Sequence, residues 1–366
     1  MARIRVGVVG VGWGALVHVP AFRAVEGFEL RALCSRQPER VADAAARLDI
    51  EETSTDWASF VERDDLDLIS VSPPVTLHRE VALATIEAGK HLLCEKPLAL
   101  TGEDAREILD AAEQHGTVAA TCFELRWNRE RLAIWDWVRS GALGDPYHLR
   151  IHQSAAYWHP SHAPQSGWMY RRDEGGGYLM GLQSHDIDFA LTVLGEPEAI
   201  AADVKTTVAR RRLTDGSEID VDADDTATIL IRFRSGATAT LSSAVVGAHT
   251  SGARFELVGS EGTIVSDGFE IRAGSVKDPG LEVLPFSSRE PVSGVDLGQR
   301  RSSAMVRAMA LLLEDWMPAL QGSAPARPIP TLRDGWRVQQ VIDAARASSE
   351  GAGWVSLDGG RGGDPG

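Results

Sequence analysis

The chain is poor in cysteine and in positive charge, and it has no long apolar run. Its three cysteines, Cys34, Cys94 and Cys122, are odd in number and far apart, which does not make a disulfide framework. Each stands at the end of a run that reads as a buried strand. They are expected to be reduced thiols of a cytoplasmic protein, with a catalytic cysteine as the lesser alternative. Acids outnumber bases to leave a formal net charge of −15. That excess argues against nucleic acid or an anionic membrane as a partner, while leaving room for a local basic site for a phosphate. No apolar run reaches membrane-spanning length. No signal peptide is expected, because Ile4 to Val9 runs straight into glycines without a cleavage region. No internal repeat of solenoid length is present, and no metal-ligand set is read.

What is present is a chain of 366 residues, comfortable for two domains. The first third alternates strand and helix. "RIRVGVVG" is a β-branched run suited to a strand buried on both faces, and a helix is expected from about Ala15 to Val25. "FELRALCS" is a second strand, "PERVADAAARL" a helix opened by Pro38, and "LDLISVSPP" a third strand stopped by two prolines. "HREVALATIEAG", "HLLCEKP", "GEDAREILDAAEQHG" and "TVAATCF" continue the alternation. Strand–helix alternation with short loops implies an α/β fold with a doubly wound parallel sheet over residues 1–123. After Phe123 the pattern changes. "ERLAIWDWVRSGALG" and the glycine-led "GGGYLMGLQSHDIDFALTVLG" read as helices. From Glu198 to about Phe286 strands dominate, including hairpins in "TATILIRFRSGATATLSSA" and "RFELVGSEGTIVSD". Two late amphipathic helices follow. Residues 124–357 are therefore expected to form a second domain with an antiparallel sheet and helices on one face. The tail 358–366 is expected to be disordered.

"VGVVGVGWGALVHV" follows a buried strand and opens a helix, which is the context a dinucleotide-binding turn requires. Gly10 permits the tight turn and Gly12 removes a side chain where a pyrophosphate must approach. Gly14 sits one place early for a third glycine, and Ala15 occupies that place. The third position needs only a small residue for helix–strand packing, so Ala15 satisfies it. Gly10, Gly12, Trp13, Gly14 and Ala15 form the expected phosphate turn, with helix N–H groups offered to the anion. The alternative is a strand–helix turn with no ligand.

The end of the second strand bears on cofactor choice. An NAD enzyme places an acid there to bond the ribose 2′-hydroxyl. This chain has Ser35, then Arg36, with Arg40 one helical turn on. An acid would repel a 2′-phosphate, whereas a hydroxyl and guanidinium would bind it, so NADP(H) is favoured over NAD(H). Two further loops leave strand ends, where ligands bind in such sheets. Ser72, Pro73, Pro74 and His78 lie in or beside one, and its prolines give a rigid wall against a flat ring. Glu95 and Lys96 stand before Pro97 in the other.

The glycine turn, "SPPVTLH", "EAGKHLLCEKPLAL" and "GGGYLMGLQSHDIDFALTVLG", in this order, resemble the glucose-fructose oxidoreductase / inositol dehydrogenase family, Gfo/Idh/MocA. "DDTATILIRFRSGATATL" and "FELVGSEGTIVSD" fit it too, so the resemblance covers nearly the whole chain. It implies an N-terminal Rossmann domain and a C-terminal domain with a large, open-faced, mostly antiparallel sheet that serves homodimer or homotetramer contacts. It implies NAD(P)-dependent oxidation or reduction of a hydroxyl or carbonyl on a sugar, cyclitol or related small molecule. By motif position it assigns catalysis to Lys96 and His185, and places Glu124 and Arg126 near the nicotinamide. The chemistry suits these residues. An ammonium at Lys96 can stabilise developing alkoxide charge, and an imidazole at His185 can carry the hydroxyl proton.

One departure stands out. The family pattern G-G-G-x-L-x-D-x-G-x-H has Gly181 at its aspartate and Gln183 at its later glycine. Gly181 opens space beside the substrate. Asp188, three residues after His185, can bond the imidazole or link helix to sheet; Asp186 is less well placed. The preceding "AAYWHPSHAPQSGWMYRRDEGGG" is rich in aromatic and polar side chains, as a polyol or glycosidic ring requires. Trp158, His159, Trp168, Tyr170, Arg171 and Gln183 are candidate substrate contacts with Lys96 and His185. Two other readings remain at this stage. One is a dinucleotide-binding sensor or scaffold with a decayed catalytic set. The other is an enzyme that recycles a tightly held cofactor for glycosidic cleavage or epimerisation.

Overall fold

The computed structural model describes residues 3–162, 167–291 and 301–357, the first two residues of the last stretch by backbone only. The tail 358–366 lies outside the described residues. The chain forms two compact units. One comprises residues up to Arg129 with Ser288–Gln339, the other Glu130–Ser287 with the segment from Gln340 onward.

In the first unit, β1 (Ile4–Val9), β2 (Phe28–Cys34), β3 (Glu52–Ser54), β4 (Leu68–Val71), β5 (His91–Cys94) and β6 (Ala119–Thr121) make one sheet. Every pair is parallel, in the order β3-β2-β1-β4-β5-β6. That is the Rossmann order, and its direction reverses between β1 and β4. The connecting helices are α1 (Val19–Arg23), α2 (Pro38–Leu48), α3 (Trp57–Val61), α4 (His78–Glu87) and α5 (Gly102–His115). Their ends follow from residue chemistry. Pro38 starts α2, the Thr101 hydroxyl caps α5 by accepting from the Asp104 amide, and Gly116 closes α5 in the left-handed region. All four residues of β4 are buried, as a central parallel strand demands.

"LDLISV" is the fourth strand, because β3 and α3 intervene; β3 is an edge strand of polar residues that leaves no apolar run to read. The helix expected over Ala15–Val25 is instead a π-turn, Gly14–His18, followed by the short α1.

The second unit contains α6 (Arg129–Arg139), β7 (Pro146–Ser154), α7 (Ser184–Leu194), β8 (Pro197–Lys205) and a small hairpin of β9 (Arg210–Arg212) and β10 (Glu218–Asp220). Next come β11 (Thr226–Phe233), β12 (Thr238–Ala244), β13 (Gly252–Gly259), β14 (Gly262–Ser266), β15 (Ile271–Ser275) and β16 (Glu282–Leu284). With the two-residue β17 (Val355–Ser356) they form a nine-stranded sheet, β16-β15-β14-β13-β7-β12-β11-β8-β17. Only the β7–β12 pair among these is parallel. β11 shows why one face is open: Ala227, Ile229, Ile231 and Phe233 are buried while Thr228, Leu230 and Arg232 are exposed. The central β7 lies outside the strands expected from Glu198 onward, although Leu149 and Ile151 alternate there with Arg150 and His152.

After β16 the chain returns to the first unit through α8 (Arg301–Leu320) and the start of α9 (Leu332–Ala347). The Thr121 amide donates to Pro330 (2.9 Å) and the Trp127 indole to Asp315 (2.8 Å). Gln339 donates to the Leu100 carbonyl (3.0 Å). Gly335 fits so closely that a Cβ there would stand 2.8 Å from the Thr121 hydroxyl.

Candidate functional site

The carboxyl edge of the parallel sheet gathers most of the expected cofactor residues. Gly10 has φ +105°, and a side chain there would collide with the Ser72 carbonyl. Its amide donates to the Cys34 carbonyl at 2.8 Å, tying the glycine turn to the end of β2. A Cβ at Gly12 would meet nothing within 4 Å. That open cradle beside backbone N–H groups fits a dinucleotide pyrophosphate. At Gly14 a Cβ would strike the Ser72 hydroxyl and lie 2.9 Å from Val8. The close-packing role thus falls on Gly14 as well as on the buried Ala15, and the π-turn supplies the geometry. The Val19 amide reaches back five residues to the Gly14 carbonyl, so the wider turn absorbs the one-residue offset of the glycine. Trp13 is partly exposed beside it.

Ser35 follows β2 half-buried, with its amide on the Ser54 carbonyl (3.1 Å). Arg36 and Arg40 are exposed, and Arg40 bonds Gln37. Ser72 spans the edge, its hydroxyl 3.3 Å from the Val9 and Gly10 carbonyls. Pro73 is half-buried and Pro74 exposed. His78 is not open to a cofactor as expected: it is buried, each ring nitrogen 3.0 Å from a backbone carbonyl, one of Pro97 and one of Pro73. It clamps the loop after β4 to the loop after β5. Burial pushes its pKa down, opposed by those carbonyls and by Glu95.

Glu95 also turns inward. One carboxylate oxygen lies 2.9 Å from His18 Nε2, and the other accepts from the Lys96 amide at 3.0 Å. The second ring nitrogen of His18 lies 2.7 Å from the Ser70 hydroxyl. Cys122 is a third hydrogen-bonding neighbour, and the ligand-type atoms of His18, Glu95 and Cys122 fall within 4.8 Å of one another. Burial pushes the Glu95 carboxyl up, but bonding and charge from His18, and the charges of Lys96 and His78, bring it below its usual value. Lys96 itself is half-buried at the strand end, and the Lys96–Pro97 bond is cis. Glu124 and Arg126, after β6, are buried, with Arg126 3.6 Å from Asp334.

In the second unit, His185 stands near the start of α7, almost wholly buried. A second π-turn, Leu179–Gln183, leads into it. The Asp224 carboxylate holds that turn by accepting from the Leu179 amide at 2.7 Å. Gly177, at φ +104°, must be glycine because a Cβ would collide with that same carboxylate. Arg131 on α6 donates to the His185 carbonyl at 2.6 Å and pairs with Asp186. Asp186 also accepts from Gln153 (3.1 Å), whose amide oxygen accepts from the Tyr178 hydroxyl. Burial pushes the Asp186 carboxyl up despite Arg131. Asp188 is buried on the same helix. A Cβ at Gly181 would meet nothing within 4 Å. Gln183 is buried, accepting from the Ser243 hydroxyl at 3.1 Å, and faces the sheet.

The aromatic loop is divided. Trp158 packs edge-on to Tyr170 (5.3 Å) and Tyr178 (6.1 Å), joining a small core with Ala155, Tyr178 and Val245, and Tyr170 is itself buried. Trp168 and Arg171 are exposed, Arg171 pairing with Asp173 and Glu174. His159 is near the surface against His162. Residues 163–166 of this loop lie outside the described residues. The sequence reading missed His18, Arg131 and Asp224. Each is a polar residue inside or beside an apolar run, and such interruptions are the one signal that marks them.

A Rossmann sheet with a phosphate cradle and a lysine on one edge defines a nicotinamide-dinucleotide oxidoreductase. The comparisons agree. Residues 4–123 match the oxidoreductase family with an NAD-binding Rossmann fold, and residues 132–265 match the GFO/IDH/MocA C-terminal domain. The levoglucosan dehydrogenase of Pseudarthrobacter phenanthrenivorans is 30% identical over 98% of this chain and 99% of its own. The myo-inositol 2-dehydrogenase of Thermotoga maritima is 28% identical over 72% of this chain and 75% of its own. A solved levoglucosan dehydrogenase in complex with NADH and L-sorbose superposes with a TM-score of 0.84 at 25% identity, covering 98% of this chain and all of that one. The chain belongs to the GFO/IDH/MocA oxidoreductase family. Among the described residues no helix is long and apolar enough to cross a membrane.

Proposed function

We propose that the protein transfers hydride between a nicotinamide dinucleotide and a hydroxyl or carbonyl carbon of a sugar, cyclitol or related polyol. The observation that carries this reading is the shared edge: the open cradle at Gly12 and the strand-end Lys96 both lie at the carboxyl edge of one parallel sheet. The bound nicotinamide supplies the hydride acceptor or donor. The chain supplies the rest. Backbone N–H groups after β1 hold the phosphates, and the Lys96 ammonium stabilises negative charge on the reacting oxygen. His185 takes or returns the hydroxyl proton, on a helix held at its carbonyl by Arg131. Trp168 and Arg171, exposed on the loop before α7, are the substrate contacts this reading favours there.

We favour NADP(H), because Ser35 and the exposed Arg36 replace the acid that would bond a ribose 2′-hydroxyl. The exposed face of the nine-stranded sheet, with Leu230, Arg150 and Glu256, suits a homodimer or homotetramer contact. A reduced, cytoplasmic setting suits the three free, buried cysteines. The test mixes purified protein with NADP⁺ or NAD⁺ and a panel of sugars, anhydrosugars and cyclitols, and follows cofactor reduction. Turnover that Lys96→Ala abolishes supports the reading. Dinucleotide binding without turnover on any member overturns it.

A further inference from the structure

We propose that His18 is a positioning residue for hydride transfer: it fixes the buried Glu95 carboxylate, and through it the backbone and charge surroundings of Lys96. The inference rests on the reading of Lys96 as the group that stabilises the reacting oxygen.

The geometry is specific. His18 sits in the π-turn that follows the phosphate cradle, where its side chain is wholly buried. Its Nε2 meets Glu95 at 2.9 Å, and its Nδ1 meets the Ser70 hydroxyl of β4 at 2.7 Å. An ionised carboxylate only accepts, so Nε2 is the donor, and the Ser70 hydroxyl completes the other ring nitrogen. Glu95 thereby receives donors from three elements: the His18 ring, the Lys96 amide and the Cys122 thiol. The charged and titratable groups around it are His18 from the π-turn, Cys94 and Lys96 on either side of it at the end of β5, His78 from α4, and Cys122 with Glu124 after β6.

A carboxylate so deeply buried keeps its charge only while these donors offset the loss of water. His18 is the largest of them. Without it, burial dominates and the Glu95 carboxyl keeps its proton to higher pH. A protonated Glu95 no longer accepts from the Lys96 amide in the same way, and it removes a negative charge one residue from the Lys96 ammonium. The phosphate cradle and the nicotinamide-side lysine are thus linked by one imidazole. Ser70 prevents that ring from turning, because the hydroxyl holds the nitrogen opposite Glu95.

The test compares wild type with His18→Leu, which removes both ring nitrogens, and His18→Gln, whose amide N–H can still reach Glu95. Two readouts are taken on full-length protein. The first is the pH profile of kcat, with KM for NADP⁺. The second is the titration of Glu95, followed by ¹³C NMR of carboxyl-labelled glutamate, with a Glu95→Gln sample for assignment. His18→Leu should lower kcat about ten- to hundredfold with little change in KM. It should also move the acid limb of the profile, and the Glu95 titration, up by about one pH unit or more. His18→Gln should restore most of both. The proposal is overturned if Glu95 titrates alike in wild type and His18→Leu, or if kcat falls with an unchanged pH profile that His18→Gln does not rescue. If Glu95 shifts as expected while wild type reduces no cofactor with any substrate, the positioning contact stands and the reading of Lys96 fails.

Discussion

Arg131 donates one guanidinium nitrogen to the backbone carbonyl of His185, 2.6 Å away, and gives another to the carboxylate of the next residue, Asp186. The arginine is stacked on Phe189. One side chain therefore fixes both the helix that carries His185 and the buried acid beside it.

Arg131→Met should destabilise the protein by about 3–5 kcal/mol, because Asp186 would stay buried without its cation. Urea unfolding of the two proteins at neutral pH measures this, and a loss below about 1 kcal/mol would contradict the assignment.

Arg211 makes the opposite case. It is buried over the Tyr170 ring, 4.0 Å from Asp225, and none of its guanidinium nitrogens makes a hydrogen bond among the described residues. Burial accordingly pushes its pKa down. Asp225 already accepts from the Thr207 and Val208 amides. Arg211→Met should be close to neutral or stabilising, within about 1 kcal/mol, in the same unfolding assay.

Gly181→Asp should be tolerated. The residue lies in the π-turn with open space where its Cβ would go, and its backbone does not require glycine. A melting temperature close to wild type is expected, together with altered relative kcat/KM across a polyol panel. Misfolding of the variant would mean that the space is closed.

Arg36→Ala should weaken NADP⁺ binding about ten- to hundredfold and leave NAD⁺ binding unchanged, as loss of one or two charge-assisted bonds to a 2′-phosphate requires. Isothermal titration with both dinucleotides reads it directly. Equal affinity for both in wild type, unaltered by the substitution, would remove the case for NADP(H).

Acid should destabilise the protein in two stages. The folded-state pKa values of His78 and Glu95 both lie below their ordinary values. The unfolded chain then binds more protons at each site, so stability is full above the unfolded value and drains away below it. The His78 contribution begins to fall below about pH 6.5 and that of Glu95 below about pH 4.3. Chemical unfolding at stepped pH should show a smaller loss between pH 7 and 5 in His78→Asn than in wild type.

Much of this was legible in the residues because it depends on local chemistry. The β-branched runs before Gly10 and Ser72 became the central strands, α2 begins at Pro38, and α4 ends just before Gly89. The early Gly14 and the missing aspartate at Gly181 were visible too, but the π-turns that contain them were not, because no periodicity of 3.6 residues announces such a turn. The inward turn of Glu95 and His78 escaped for another reason. The partner of Glu95, His18, follows β1, and His78 reaches the Pro97 carbonyl after β5; a sequence shows no distance across a sheet. β3 was missed because an exposed edge strand needs no apolar residues.

The return of the chain through α8 and the start of α9 has a consequence for synthesis. Thr121, Trp127 and Leu100 belong to the first half of the polypeptide, yet their partners are Pro330, Asp315 and Gln339. On the ribosome the parallel sheet can assemble early, but these groups must wait with water as their only partner until the segment carrying Asp315, Pro330 and Gln339 has been made. The first unit to begin emerging is thus completed only after residues 130–287 of the second have been made.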